Sequence, residues 1–479
     1  MRKPVEIPYP LQTNPGLHGQ ESGGRLINCY VDELPKSAKA RRIYRRAPGL
    51  RSWGTTARTG MRGAIEIGGI LYVAFNGQLE KWSLAAGGAS ANVGALTGTK
   101  KGFFARNNAS TPDKVFVDPD GNITTFTPTA VAGSYPDPDL PAVNACCDID
   151  GYMVFTTGNG RAYATGLNTT AVDPLSFGAA EAKSDGLTRP IPYAGALYLM
   201  GNFSTEVWPN AGTTPFPFSR GTVIPRGIAG PYCVTGHENG FGKGLFIVGD
   251  DNRVSVLQGY EFIPISPPDL DALLEAVTDK TTIEMCSYMS RGHAFVQVTG
   301  PTFTWFYDLN TKLWFERQSY GLLYARITQA LNVNAFGRWL CGDRSSGNMV
   351  EIIAGVNQEI GNPFRARIES GPVTDFPVGM RVGRADFEFE TGVGIAAGLD
   401  PIQRNPKVGI SWSDNGGQDW TAELERELGA QSRTEQLVSL VGGLGRSTWN
   451  GRRWRLDIAD PVDLGFMGGR QAENPRLTG

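Results

Sequence analysis

The sequence predicts an all-β protein, a multi-bladed β-propeller followed by a β-sandwich, and three observations predict it. Gly (62 copies) and Pro (31 copies) are abundant in the 479 residues while helix-period stretches are scarce, so the chain is rich in turns. A unit of short aromatic and β-branched runs recurs from Gly60 to about residue 353. Beyond about Pro363 the texture changes to the polar–apolar alternation of half-buried antiparallel strands.

The clearest copy of the unit runs from Ile283 to Ser319. MCSYMS, AFVQVT, TFTWFYDL and LWFERQ read as four strands separated by RGH, GP and NTK, whose Gly, Pro and Asn supply turn geometry. The inner runs do not alternate, as expected of a sheet covered on both faces. Six further copies begin at MRGAIEI, GFFARNN, VNACCDIDG, LTRPIPYAG, YCVTGHENG and, more poorly, LLYARITQ. Their period of about 42 residues suits four-stranded propeller blades, of which about seven are expected. One helix interrupts them: PPDLDALLEAV places Leu270, Leu273, Leu274 and Val277 on one face, with Asp269 as the expected N-cap.

Outside the repeat, residues 1–55 carry two strand-like runs, LINCYVDEL and RRIYRRA, expected to pack with the C-terminal part. The expected division is therefore 1–55, a propeller over 56–362 and a sandwich over 363–479, completed by the N-terminal strands. AELERELG is read as a strand.

With 45 Lys plus Arg against 47 Asp plus Glu, the formal charge is −2, which excludes the strongly basic chain of a tight nucleic-acid binder. The densest basic cluster is Lys36, Lys39, Arg41, Arg42, Arg45 and Arg46. It reads either as a contact for an acidic partner or DNA phosphate, or as a solvated edge protected by charge. No apolar run approaches the roughly 20 residues of a membrane helix, and prolines interrupt the N-terminus where a secretory signal would need an apolar core, so a soluble protein without membrane anchor is expected. Six scattered cysteines are expected to be small buried hydrophobes.

No catalytic, cofactor or metal motif emerges. His18, His237 and His293 lack partners at metal or triad spacing, GFGKG at Gly240–Gly244 precedes a strand rather than a helix, and Asp250 with Asp251 offers too few oxygens for calcium. SDNGGQDW resembles the Asp-box hairpin of sialidases and other propellers, with Asn415 in place of Asp. Its Ser413, Asn415, Gly417 and Trp420 read as a device that ties down a turn.

GRLINCYVDELP with RAPGLRSW, EVWPNAGTTPFPFSR, RGHAFVQV with TFTWFYDLNTKLWFER, and VGISWSDNGGQDW with RRWRLDIADPVDLGF together resemble the tail nozzle, or packaged-DNA stabilisation, family of short-tailed bacteriophages. The resemblance implies a non-enzymatic virion tail protein made in the host bacterial cytoplasm. It implies a homohexameric nozzle ring below the portal–adaptor ring, which extends the DNA channel, helps retain packaged DNA and lets it pass at ejection. Its implied neighbours are tail needle, fibre or spike proteins and packaged double-stranded DNA, held by weak non-specific contact. Two alternatives stay open: a carbohydrate-active, sialidase-like propeller enzyme, motivated by the Asp-box-like hairpin, and a receptor-binding or scaffold propeller.

Overall fold

The computed structural model describes residues 4–84, 88–180, 182–183, 185–344 and 346–473. Seven four-stranded antiparallel blades form the propeller. Their first strands are Gly63–Ile67, Phe103–Arg106, Ala145–Ile149, Leu187–Tyr193, Val234–Thr235, Glu284–Ser290 and Ile327–Ala335. These pack around an axis, and the first strand of blade seven meets that of blade one. The blades coincide with the seven repeat copies because each is a local meander whose turns the sequence marks. In blade six, Glu284–Ser290, His293–Thr299, Thr304–Asp308 and Leu313–Glu316 pair in order, and Arg291 and Gly292 take positive φ in the first turn. Neighbouring blades bury one another's faces; Trp82, Phe116, Phe155, Trp305 and Trp314 are all at most 2% exposed.

The seventh copy is poor because it supplies only three strands. Its fourth is Gly49–Gly54, which pairs antiparallel with Met349–Ile353 (Leu50↔Ile352, Arg51↔Glu351) and thereby closes the ring. Residue 55 is consequently no boundary between separate bodies. The strand's start requires glycine, since a Cβ on Gly49 would lie 1.9 Å from the Val356 carbonyl oxygen and 2.6 Å from that of Gln358. The same sheet extends beyond it through Gln358–Glu359 and Asn362–Pro363.

The remaining N-terminal strands complete a two-sheet sandwich. Asn28, at φ 57°, divides one run between the two sheets. Its amide donates to the carbonyls of Gln318 and Arg365 (both 2.8 Å) and accepts from the Gln318 N–H, so a short polar side chain fixes the crossing. Before it, Arg25–Ile27 lies between Leu313–Glu316 of blade six and Ala366–Glu369. This makes one sheet that continues through Arg453–Ile458, Lys407–Ser413 and Leu424–Glu427. After it, Cys29–Glu33 begins the facing sheet, with Arg42–Arg46, Phe466–Ala472, Arg384–Phe389 and Val438–Val441. Trp454, fully buried between them, meets Phe387 edge-on at 5.4 Å and donates its indole N–H to Gln471 at 2.8 Å. AELERELG does form an edge strand, Leu424–Glu427.

The one α-helix among the described residues, Pro268–Ala276, buries Leu270 and Leu274 while Leu273 is exposed. Pro267, not Asp269, occupies its N-cap. Asp269 sits in the first turn, where a carboxylate suits the positive end of the helix.

Candidate functional site

Cys29–Glu33 and Arg42–Arg46 present the basic cluster on a two-stranded arm of the sandwich, with registers Cys29↔Arg46 and Glu33↔Arg42. The six side chains divide. Arg46 points inward: it is 6% exposed and donates to the carbonyls of Phe364, Ile458 (3.3 Å) and Asp460 (2.9 Å), and burial pushes its guanidinium down to about 10. Arg45 is tied to Asp32 at 3.1 Å and Lys39 to Glu388 at 2.5 Å. Lys36, Arg41 and Arg42 remain exposed at the turn and on the adjoining strand. Arg46 is thus structural: it satisfies three buried carbonyls where the arm meets the facing strands.

SDNGGQDW forms the turn expected of it, on the sandwich rather than on a blade. Ser413 Oγ donates to Asn415 Oδ1 (2.8 Å) and accepts from the Gly417 N–H (2.9 Å), while Asn415 Nδ2 donates to Asp419 (2.9 Å). Trp420 bonds the Gly417 carbonyl at 3.1 Å, and the Arg455 guanidinium covers its ring at 3.7 Å.

The six cysteines are buried and unbridged. Asp250 and Asp251 face Arg226 at 2.9 and 3.3 Å, and GFGKG leads into the strand Phe246–Val248. His293 lies at the seam between blade six and the sandwich. Its Nδ1 is 2.8 Å from Asp308, its Nε2 is 3.6 Å from Asp32, and the Tyr30 ring meets it edge-on at 5.0 Å. Burial alone would push this imidazole down, but the hydrogen bond to Asp308 and the charges of Asp308 and Asp32 outweigh it and raise the pKa above its ordinary value.

A further group of polar residues, unmarked by any motif, converges on the propeller axis. A cavity of about 440 Å³ is lined from all seven blades, including Glu66, Phe103, Asp148, Arg189, His237 and Asn334. At the N-terminal ends of the inner strands side chains of several blades bridge the axis. Lys101 before blade two meets Glu284 of blade six, Glu284 also accepts from Arg344 of blade seven at 2.9 Å, and the Tyr232 hydroxyl donates to the Lys101 carbonyl at 2.7 Å. Inside, Arg189 lies over the Phe103 ring at 4.4 Å and donates to the Pro231 carbonyl at 3.1 Å. Burial pushes Arg189 down to about 10 and His237 down to about 4. The signal in the sequence was a charged residue inside, or just beyond, the first run of a copy (LTRPIPY, TGHENG, IEMC). It goes unnoticed because only ring closure brings these runs together.

The architecture defines a class first: a seven-bladed propeller fused through a shared sheet to a sandwich. A family model described as the β-propeller of Bacteriophage P22 Gp10, a phage stabilisation protein, matches residues 31–354, and the chain belongs to that family. It is accordingly a member of a virion-associated bacteriophage family concerned with stabilising packaged DNA, and among the described residues no helix is long and apolar enough to cross a membrane. No curated protein matches the sequence. Among solved structures, PorZ, an essential bacterial surface component of the type-IX secretion system of Porphyromonas gingivalis, aligns at TM-score 0.37 and 12% identity over 70% of this chain and 44% of that one. Chaetomium thermophilum Raptor aligns at TM-score 0.41 and 11% identity over 64% of this chain and 29% of that one. The chain therefore spans less than half of either structure.

Proposed function

We propose that the protein is a non-enzymatic tail nozzle subunit. Six copies form a ring below the portal and its adaptor, extend the DNA channel, help hold the packaged DNA and release it at ejection. The observation that carries this reading is membership of the phage stabilisation family over most of the propeller. The ring axis supports a conduit built between subunits rather than through one. The propeller's axial cavity is about 440 Å³ and the Lys101–Glu284 pair crosses the axis, whereas the major groove of duplex DNA alone is about 12 Å wide. Lys36, Arg41 and Arg42, exposed on the arm, offer cations to an acidic adaptor surface. Needle, fibre or spike proteins would meet the ring's far end.

Electron microscopy of assembled tails tests the reading. Six subunits around a DNA-wide hole are expected, and a five- or seven-membered ring, or a solid assembly, overturns it. Contact with the polyanion should be weak, since each neutralised phosphate adds a salt slope of about −0.9 and no cationic surplus exists for a tight grip. Arg41→Gln/Arg42→Gln is expected to weaken attachment to the portal complex and leave DNA affinity unchanged.

A further inference from the structure

We propose that the axial cavity of the propeller binds a small polyhydroxy monocarboxylate of the size of a hexuronic acid, with Arg189 taking the carboxylate. The inference is independent of the nozzle reading. Its starting point is a cation without an ion-pair partner: among the described residues, no carboxylate lies within salt-bridge distance of Arg189, although burial disfavours its charge. The guanidinium is nonetheless held in one position, by the Pro231 carbonyl, the Phe103 face and a contact of 3.3 Å to His237 Nε2.

That last contact fixes a tautomer. Arginine carries no acceptor, so Nη2–H must donate and His237 Nε2 must accept, which places the imidazole proton on Nδ1. His237 Nδ1 is buried, and no protein group accepts from it. An unmatched buried donor costs about 1–3 kcal/mol; His237 Nδ1 is one, and the guanidinium beside it, bonded to the Pro231 carbonyl and to His237, has no carboxylate opposite it among the described residues. A carboxylate supplies planar, paired acceptors for a guanidinium.

The other charges narrow the class. Asp148 and Glu66 line the same cavity, as does Glu238, whose carboxylate already accepts from Thr235, the Gly236 N–H and Ser287 at 2.6, 2.6 and 2.9 Å. Three carboxylates against one arginine disfavour a phosphate dianion but suit a monoanion bearing several hydroxyl donors. The volume of about 440 Å³ lies in the range of small-molecule sites, roughly 300–1,000 Å³, and the Lys101–Glu284 pair bridges the axis near the N-terminal ends of the inner strands.

The test is calorimetric and NMR titration of the full chain with D-glucuronate, D-glucose and inorganic phosphate. Saturable binding of glucuronate is expected, at least about tenfold tighter than glucose or phosphate, a ratio worth about 1.4 kcal/mol. Arg189→Gln is expected to weaken glucuronate at least tenfold with an unchanged fold by circular dichroism. Asp148→Asn, which leaves the Arg189 cluster intact, keeps the proposal testable if Arg189→Gln does not fold: it should weaken glucuronate and leave the residual affinity for phosphate no lower. Absence of saturable glucuronate binding overturns the proposal, as does binding unaffected by either substitution or matched by phosphate.

Discussion

Blades two and seven are built from the same four-stranded pattern, yet they differ in how the chain supplies it. Blade two is complete within Phe103–Gly133, each strand bonded to the next in sequence. Blade seven takes its outer strand from Gly49–Gly54, about three hundred residues before the strand it pairs with. The sandwich repeats the second arrangement, with Arg25–Ile27, Cys29–Glu33 and Arg42–Arg46 inserted among strands from the C-terminal part. Local blades therefore inherit their order from neighbouring turns, whereas ring and sandwich are joined by one N-terminal segment that serves both.

The largest effect expected from breaking this comparison comes from truncation. A chain starting at residue 49 keeps the ring-closing strand but loses the sandwich strands, and should retain a protease-resistant propeller core. A chain starting at residue 56 loses both and should yield no resistant core. Limited proteolysis with mass spectrometry distinguishes them, and equal resistance of the two would show that Gly49–Gly54 does not close the ring.

A smaller effect is expected at the buried Arg317–Glu359 pair, 3.2 Å apart and fully inaccessible, where the end of blade six meets the hairpin after blade seven. Arg317→Met should cost about 3–5 kcal/mol by leaving Glu359 charged and unmatched. The double change Arg317→Met/Glu359→Leu should recover most of that loss, because Arg317 Nε and Nη1 and Glu359 Oε2 are buried without hydrogen-bond partners and apolar packing removes their desolvation cost. Urea denaturation of the two variants measures the difference.

The seam carries a proton-dependent contribution of its own. His293 has a folded pKa above its ordinary value, so the native state binds the proton more tightly than the unfolded chain does. Stability from this group is fully present below about pH 6.5 and is lost as pH rises through the folded pKa. His293→Gln should flatten that part of the pH–stability profile in thermal melts. A wild-type profile equally steep in the variant would assign the dependence elsewhere.

The smallest effect concerns the hairpin. Asn415→Asp restores the residue usual in an Asp-box, but it sets a carboxylate 2.9 Å from that of Asp419 in place of a donated hydrogen bond. A loss of about 1 kcal/mol or less is expected at this exposed site, measurable as a small drop in melting temperature. A gain would show that the turn's own geometry outweighs the charge of Asp419.

What the sequence made legible follows the same division. The seven blades, the edge strand Leu424–Glu427 and the Ser413–Trp420 turn are specified by residues close to one another in the chain, so periodicity and turn chemistry reveal them. The strand Gly49–Gly54 could not be assigned to the propeller, because GLRSWG carries no mark of its distant partner. The six basic side chains were visible as a cluster, but strand alternation turns Arg46 inward and Asp32 and Glu388 claim two others, partners fixed only by pairing and packing. The axial group of Arg189, His237 and Glu238 was hidden for the same reason: it exists only where blades four and five are set against each other.

The ring-closing strand also sets a clock for biosynthesis. Leu50 leaves the ribosome about three hundred residues before Ile352, its partner in the closed blade. At roughly 5–20 residues per second, the nascent chain carries that strand unpaired for about 15–60 s. During this interval the completed blades form an open crescent with two bare ends, each able to pair with the wrong neighbour on the same polysome. Slowing elongation between residues 55 and 349 lengthens this interval in proportion.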